Sequence, residues 1–258
     1  MLFVLSPAKS LDYESPIGDV SHTRPAFVKE AAGLIDLLRP MSPQQIADLM
    51  SLSDKLASLN AARFEMWSER FTEKNSRQAV LAFDGDVYDG LRARDMTAAQ
   101  LEWLQNHLRI LSGLYGVLRP LDFMQPYRLE MGTALNNPAG KNLYAYWGDR
   151  IAKALDAVAL ADDGIIVNTA SEEYFKAVDM QALKSKVVSC VFEERKGNRY
   201  QVVSFYAKKA RGLMVRYATE HRVKTLKDLQ GFNAEGYAYD AAASEPHRLV
   251  FRRLAPVK

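Results

Sequence analysis

Val187-Val188-Ser189-Cys190-Val191-Phe192-Glu193-Glu194-Arg195-Lys196-Gly197-Asn198-Arg199-Tyr200-Gln201-Val202-Val203-Ser204-Phe205-Tyr206 carries the reading on which the fold turns. The β-branched and aromatic runs at 187–192 and 200–206 read as strands, and Arg195-Lys196-Gly197-Asn198 between them reads as a hairpin turn. An antiparallel pair in a chain whose strands and helices are interspersed without regular alternation predicts a mixed sheet.

On either side of this hairpin the punctuation is clear. Met1–Leu5 reads as a short buried strand that stops at Pro7, which has no N–H for a ladder. Helices are predicted over Ala26–Leu38, from the capping box Ser42-Pro43-Gln44-Gln45 to Met50, and over Ser53–Arg70. Ala79–Phe83 reads as a strand leading into the turn Asp84-Gly85-Asp86. A second capping box, Thr97-Ala98-Ala99-Gln100, opens a helix with Leu101, Leu104, Leu108 and Leu111 on one face. Trp147–Leu160 reads as helix, Ile165–Asn168 as strand, Lys208–Arg222 and Thr225–Gln230 as helices, and Leu249–Arg253 as a late strand. No repeat or linker interrupts the pattern. The expected architecture is one mixed α/β (α+β) domain over residues 1–258, a mixed sheet surrounded by helices.

The 258 residues are 48% hydrophobic and 25% charged, with a formal net charge of only +3. Any attraction for polyanions is therefore local. The single cysteine, Cys190, excludes an intrachain disulfide and reads as a small core residue on a strand. The apolar start stops at Ser6-Pro7 without a basic n-region, and no run approaches the ~20 apolar residues of a membrane span. A soluble cytoplasmic protein without a membrane partner is expected.

Charge patterning is the main functional signal. Arg195 to Thr219 holds seven basic residues and no acid, and its centre, Ser204–Arg216, carries Phe205, Tyr206, Lys208, Lys209, Arg211 and Arg216. Lys and Arg contact phosphates while rings stack on bases. On a helix, Lys209 aligns with Arg216 and Lys208 with Arg211, so the cations divide between two faces. Lys9, in Ser6-Pro7-Ala8-Lys9-Ser10 past the first strand, is placed to meet a phosphate, without a P-loop's glycine series. Leu108–Arg119 has the layout of a helix-hairpin-helix, with Gly113 and Gly116 marking the hairpin and Arg109, Arg119 and Arg128 nearby. In such a hairpin, backbone N–H groups hold a DNA phosphate. Leu226–Asn233 is a second segment of that kind.

Other polar clusters are plainer. Asp84-Gly85-Asp86-Val87-Tyr88-Asp89-Gly90 reads as a capped acidic turn, and the polar cluster Asn168–Tyr174 after a strand reads equally as a helix cap by Thr169 or Ser171 or as the lining of a ligand pocket. His22, His107, His221 and His247 show no metal-ligand spacing, and no dinucleotide fingerprint or Gly-x-Ser-x-Gly elbow appears. No metal or cofactor is expected, and no catalytic residue is assigned.

Seven blocks in order along the chain resemble the bacterial YaaA family: Ser6–Tyr13, Gly85–Tyr88, Leu111–Leu118, Arg119–Asp122, Pro126–Met131, Ser204–Met214 and Gly231–Tyr237. The resemblance implies a cytosolic protein of the peroxide-stress response that limits free iron and so spares DNA from hydroxyl-radical damage. It also implies DNA binding by a single-domain α/β fold with a helix-hairpin-helix and a basic cleft.

Two readings of function follow. In the first, the chain binds double-stranded or distorted DNA by its phosphates, largely without regard to sequence. In the second, it is an enzyme acting on a nucleotide or other phosphorylated small molecule, with Lys9, Asp86, Tyr88, Asn168, Arg128 and Lys209 converging in a pocket.

Overall fold

The computed structural model describes residues 1–254. Its centre is an eight-stranded mixed sheet. In chain order the strands are β1 (Leu2–Leu5), β2 (Leu108–Ser112), β3 (Gly116–Leu118), β4 (Ile165–Asn168), β5 (Lys186–Lys196), β6 (Arg199–Gln201), β7 (Ala238–Tyr239) and β8 (Arg248–Leu254). Across the sheet the order is β7-β8-β5-β4-β1-β2-β3, with β6 paired to β5. β1, β2, β4, β5 and β8 are mutually parallel, whereas β3, β6 and β7 run antiparallel to their partners. Parallel strands covered on both faces lose the polar alternation of a half-exposed strand, and Leu2, Phe3, Val4 and Leu5 are all fully buried.

Helices pack around this sheet: α1 (Val28–Leu38), α2 (Pro43–Met50), α3 (Asp54–Met66), α4 (Asp86–Leu91), α5 (Ala98–His107), α6 (Arg150–Ala159) and α7 (Ser204–His221). Both predicted capping boxes form, at Ser42 with Gln45 and at Thr97 with Gln100. The hairpin at 195–198 forms too, with Gly197 at φ +62. Its second strand, however, ends at Gln201, and Ser204 already begins α7.

Three other segments depart from the sequence reading. Ala79–Ala82 is a turn of helix instead of a strand, since a short buried apolar run has no period to separate the two. Gly148, at φ +50, breaks the helix predicted over Trp147–Leu160 into Leu143–Trp147 and α6.

The third correction bears on function. Leu108–Leu118, predicted as a helix-hairpin-helix, is the β2–β3 hairpin, and every residue from Leu108 to Leu118 is buried. Gly113 lies against the Leu129 carbonyl, and a Cβ on Gly116 would meet the Trp147 ring at 2.6 Å. The hairpin tip is pinned by Tyr115, whose hydroxyl accepts hydrogen bonds from Trp67 Nε1 at 2.9 Å and Gln125 N at 3.1 Å. These glycines serve core packing and present no backbone N–H groups to a phosphate at the surface.

Helices α4 and α7 cross at two glycines. A Cβ on Gly212 would fall inside van der Waals contact with the Val87 carbonyl and 2.8 Å from Leu91 N. A Cβ on Gly90 would likewise strike the Lys209 carbonyl and lie 2.9 Å from Leu213 N. Alanine in a helix interior gains up to about 1 kcal/mol over glycine, but overpacking against backbone costs roughly 1–3 kcal/mol or more. Gly212→Ala is therefore expected to lower stability in urea unfolding despite its better propensity.

Cys190 sits in β5, buried, and burial pushes its thiol up to about 12. Burial disfavours the charged thiolate, the form that reacts. The folded protein is expected to resist thiol-specific disulfide reagents, with full reaction appearing only on unfolding. Rapid labelling of the native protein would contradict this placement.

Candidate functional site

Neighbouring parallel strands β1 and β4 send the chain in opposite directions: β1 leads to β2 on one side, and β4 to β5 on the other. Such a switch point opens a crevice outside the carboxyl ends of the strands, where ligands of open α/β sheets bind. Here it is formed by the residues following Leu5 and Asn168. Ser6 Oγ accepts the Ser171 N–H at 2.8 Å and donates to Ser171 Oγ at 3.2 Å. Thr169 Oγ1 donates to the Val4 carbonyl at 2.7 Å, and Asn168 Oδ1 accepts from Ala170 N at 2.9 Å. Ser171 occupies the N-cap position of the short helix Glu172–Phe175, but its side chain makes no capping bond.

Charged groups gather around this edge. Lys9 Nζ lies 2.7 Å from Glu130 Oε2, and Arg128 Nη2 is 3.1 Å from Glu130 Oε1. Arg128 is 18% exposed and its buried Nε has no hydrogen-bond partner. Tyr88 donates to the Ser6 carbonyl at 3.1 Å, and the Tyr127 hydroxyl pairs with Ser112 Oγ at 2.6 Å. Burial raises the Tyr88 and Tyr174 phenols well above their ordinary range, and nearby Tyr127 adds to the rise in each, so both remain neutral. Ser10–Leu11 pairs with Phe83–Asp84, which brings Lys9 beside the turn that leads into Asp86.

Helix α7 adds its cations from the other side. Lys208 Nζ is 3.9 Å from Asp86 Oδ2. Lys209 pairs with Glu235, whose carboxylate also takes Arg253 Nη1 at 3.3 Å. Arg211 is half-buried, with no hydrogen-bond or carboxylate partner among the described residues, and desolvation lowers its pKa. Arg216 bonds Glu220 at 2.7 Å and donates to the Leu91 and Arg92 carbonyls, fastening the end of α4.

The structure thus unites Lys9 with Arg128, and Lys208 with Asp86, but leaves two predicted cations apart. Arg109 is buried toward the amino end of β2, where its guanidinium donates to the Gln105 and Leu108 carbonyls. Burial, reinforced by the neighbouring charge of Arg119, brings it down to about 10. Arg119 itself is held by Asp122 at 3.0 Å. Glu130 and Tyr174, both central to the cluster, were not singled out from the sequence. The available cue for Glu130 was a carboxylate two residues beyond Arg128.

A second surface stands above this edge. Ser189 pairs with Asn168, and β5 continues seven residues further to Lys196, roughly 23 Å at about 3.3 Å per residue. Arg195, Lys196 and Arg199 are exposed there and make no ion pair among the described residues. Tyr200, Val202 and Phe205 are also exposed, Phe205 by 61%.

Other features lie elsewhere. The cavity of about 960 Å³ between the Pro16–Ser21 loop and α5 mixes apolar lining from Leu81, Met96, Leu101 and Leu121 with polar Arg94 and Glu102. Among the described residues no three His, Cys, Asp or Glu side chains gather as metal ligands would, and no helix is long and apolar enough to cross a membrane.

Comparison with known proteins supplies the affiliation. A family model described as peroxide stress protein YaaA matches residues 1–243. A UPF0246 protein of Albidiferax ferrireducens is 60% identical over 259 aligned positions, covering 100% of both chains. UPF0246 proteins of a Polaromonas species and of Bordetella pertussis are 61% and 60% identical over 254 positions, covering 98% of this chain and 98% and 99% of their own lengths. On the extent of these matches, the chain belongs to the peroxide stress protein YaaA (UPF0246) family.

Proposed function

We propose that this chain serves the peroxide-stress response by binding DNA through its phosphates and so limiting iron-dependent oxidative damage. The observation that carries the reading is the β5–β6 hairpin and the start of α7, where exposed Arg195, Lys196 and Arg199 stand without carboxylate partners among the described residues, beside exposed Tyr200 and Phe205. Unpaired cations attract a phosphodiester, and the rings offer stacking faces to unpaired bases in distorted or single-stranded DNA. Lys208, 51% exposed, and Lys209 extend the surface along α7 by exchanging Asp86 and Glu235 for phosphates. Exposed or half-exposed ion pairs are worth at most about 1 kcal/mol, so the exchange costs little.

Phosphate contacts carry no base information, and binding is therefore independent of sequence. The same contacts connect DNA binding to iron. Cations condensed on a phosphate backbone are released as Lys and Arg neutralise it. Ferrous ions among them leave the strand, and hydroxyl radicals then form further from the sugars.

Fluorescence anisotropy with unrelated duplex and single-stranded sequences over a salt series tests this. Log affinity is expected to fall linearly with log salt, with a slope of about −0.9 per duplex phosphate neutralised. Arg195→Ala with Lys196→Ala and Arg199→Ala is expected to flatten the slope by about two to three, equally for all sequences. Phe205→Ala is expected to weaken single-strand binding by about 1–3 kcal/mol while sparing duplex. An unchanged slope in the triple variant would reject the surface.

A further inference from the structure

The switch-point cluster is distinct from the exposed hairpin, and its chemistry differs. Glu130 is bonded by both Lys9 and Arg128, so the three groups together keep one positive charge. Of the five N–H donors of the Arg128 guanidinium, one on Nη2 is the only one with an acceptor among the described residues, and the buried Nε has none there. A planar fork left so poorly satisfied is matched to an oxyanion that offers several acceptors at once. The Arg128 side chain is 18% exposed and that of Lys9 63%. A small anion fits that arrangement better than the continuous backbone of a duplex.

The groups around the cations select the rest of the ligand. Glu130 offers carboxylate oxygens to hydroxyl groups, and Ser6 and Ser171, bonded to each other, supply hydroxyls on the loops that follow β1 and β4. The phenols of Tyr88 and Tyr174 stay neutral, and the Glu173 carboxylate that stands beside Tyr174 is engaged by the Gly132 N–H at 3.0 Å. The cluster lies at the crevice between oppositely leaving parallel strands, the location at which α/β sheets bind phosphorylated ligands.

We infer that the crevice between the carboxyl ends of β1 and β4 binds a phosphorylated sugar, free or as a nucleoside monophosphate, its phosphate on Arg128 and Lys9 and its hydroxyls on Glu130. The site is distinct from the hairpin part of the DNA surface, because Arg195, Lys196 and Arg199 take no part in it.

Isothermal titration of the full chain with ribose 5-phosphate, adenosine 5′-monophosphate, adenosine and inorganic phosphate tests the assignment. Saturable one-to-one binding is expected for at least one of the two phosphorylated sugars, which separates the free sugar from the nucleotide as the source. Adenosine is expected to be silent and inorganic phosphate weaker. Arg128→Lys keeps the charge but loses the fork, and Lys9→Ala removes a mostly exposed amine without threatening the fold. Each is expected to weaken binding about tenfold or more, while the Arg195, Lys196 and Arg199 triple variant binds as the parent does. Absence of saturable binding up to about 10 mM of either phosphorylated sugar would overturn the proposal. So would tight binding of adenosine, or affinity unchanged by Lys9→Ala in a protein that retains its native circular dichroism.

Discussion

The close crossing of α4 and α7 governs where the cations of α7 stand. Because Gly90 and Gly212 have no side chains, the backbone of each helix rests directly on the other. That contact brings Lys208 beside Asp86 at the start of α4 and lets Arg216 fasten the Leu91 and Arg92 carbonyls at its end. Since α4 follows the Phe83–Asp84 ladder to Ser10, the crossing also ties α7 to the loop after β1. A single backbone contact therefore couples a helix near the end of the chain to the first strand.

Charge balance divides the cationic side chains into two kinds. Lys9, Arg128, Lys208 and Lys209 have carboxylate partners, while Arg195, Lys196 and Arg199 have none among the described residues. For Arg128, the recessed member of the paired set, the distinction follows from position in the fold. A recessed cation must find a counter-charge or be desolvated at a cost, whereas a cation on a projecting hairpin keeps its water. Arg211 is the exception, half-buried without an acidic partner, and its lowered pKa records that expense. A net charge of +3 conceals this unevenness.

Local chemistry was legible wherever it sufficed. The Ser42 and Thr97 capping boxes, the Gly197 turn and the buried strand at the start form as their residues require, because each depends on neighbours in sequence. Leu108–Leu118 was misread because an apolar run broken by glycines satisfies either a helical turn or a strand hairpin, and pairing with β1 decides between them. The aromatic run after Gln201 turned into helix for a related reason: tertiary packing of α7 against α4 outweighs β-propensity. Glu130 escaped notice as a site residue because a carboxylate acquires meaning only from the cations brought to it.

By itself the sequence determined the mixed α/β class, most element positions, the acid-free basic stretch and the buried role of Cys190. Each of these follows from composition, periodicity or residues a few positions apart. Only the tertiary structure decided that Gly113 and Gly116 belong to the core, that Arg109 and Arg119 lie apart from Lys9, that Glu130 meets Lys9 and Arg128, and that Ser6 meets Ser171. Those outcomes depend on strand order and helix crossing, which bring together residues as much as 165 positions apart, as with Ser6 and Ser171, and no local pattern encodes such distances.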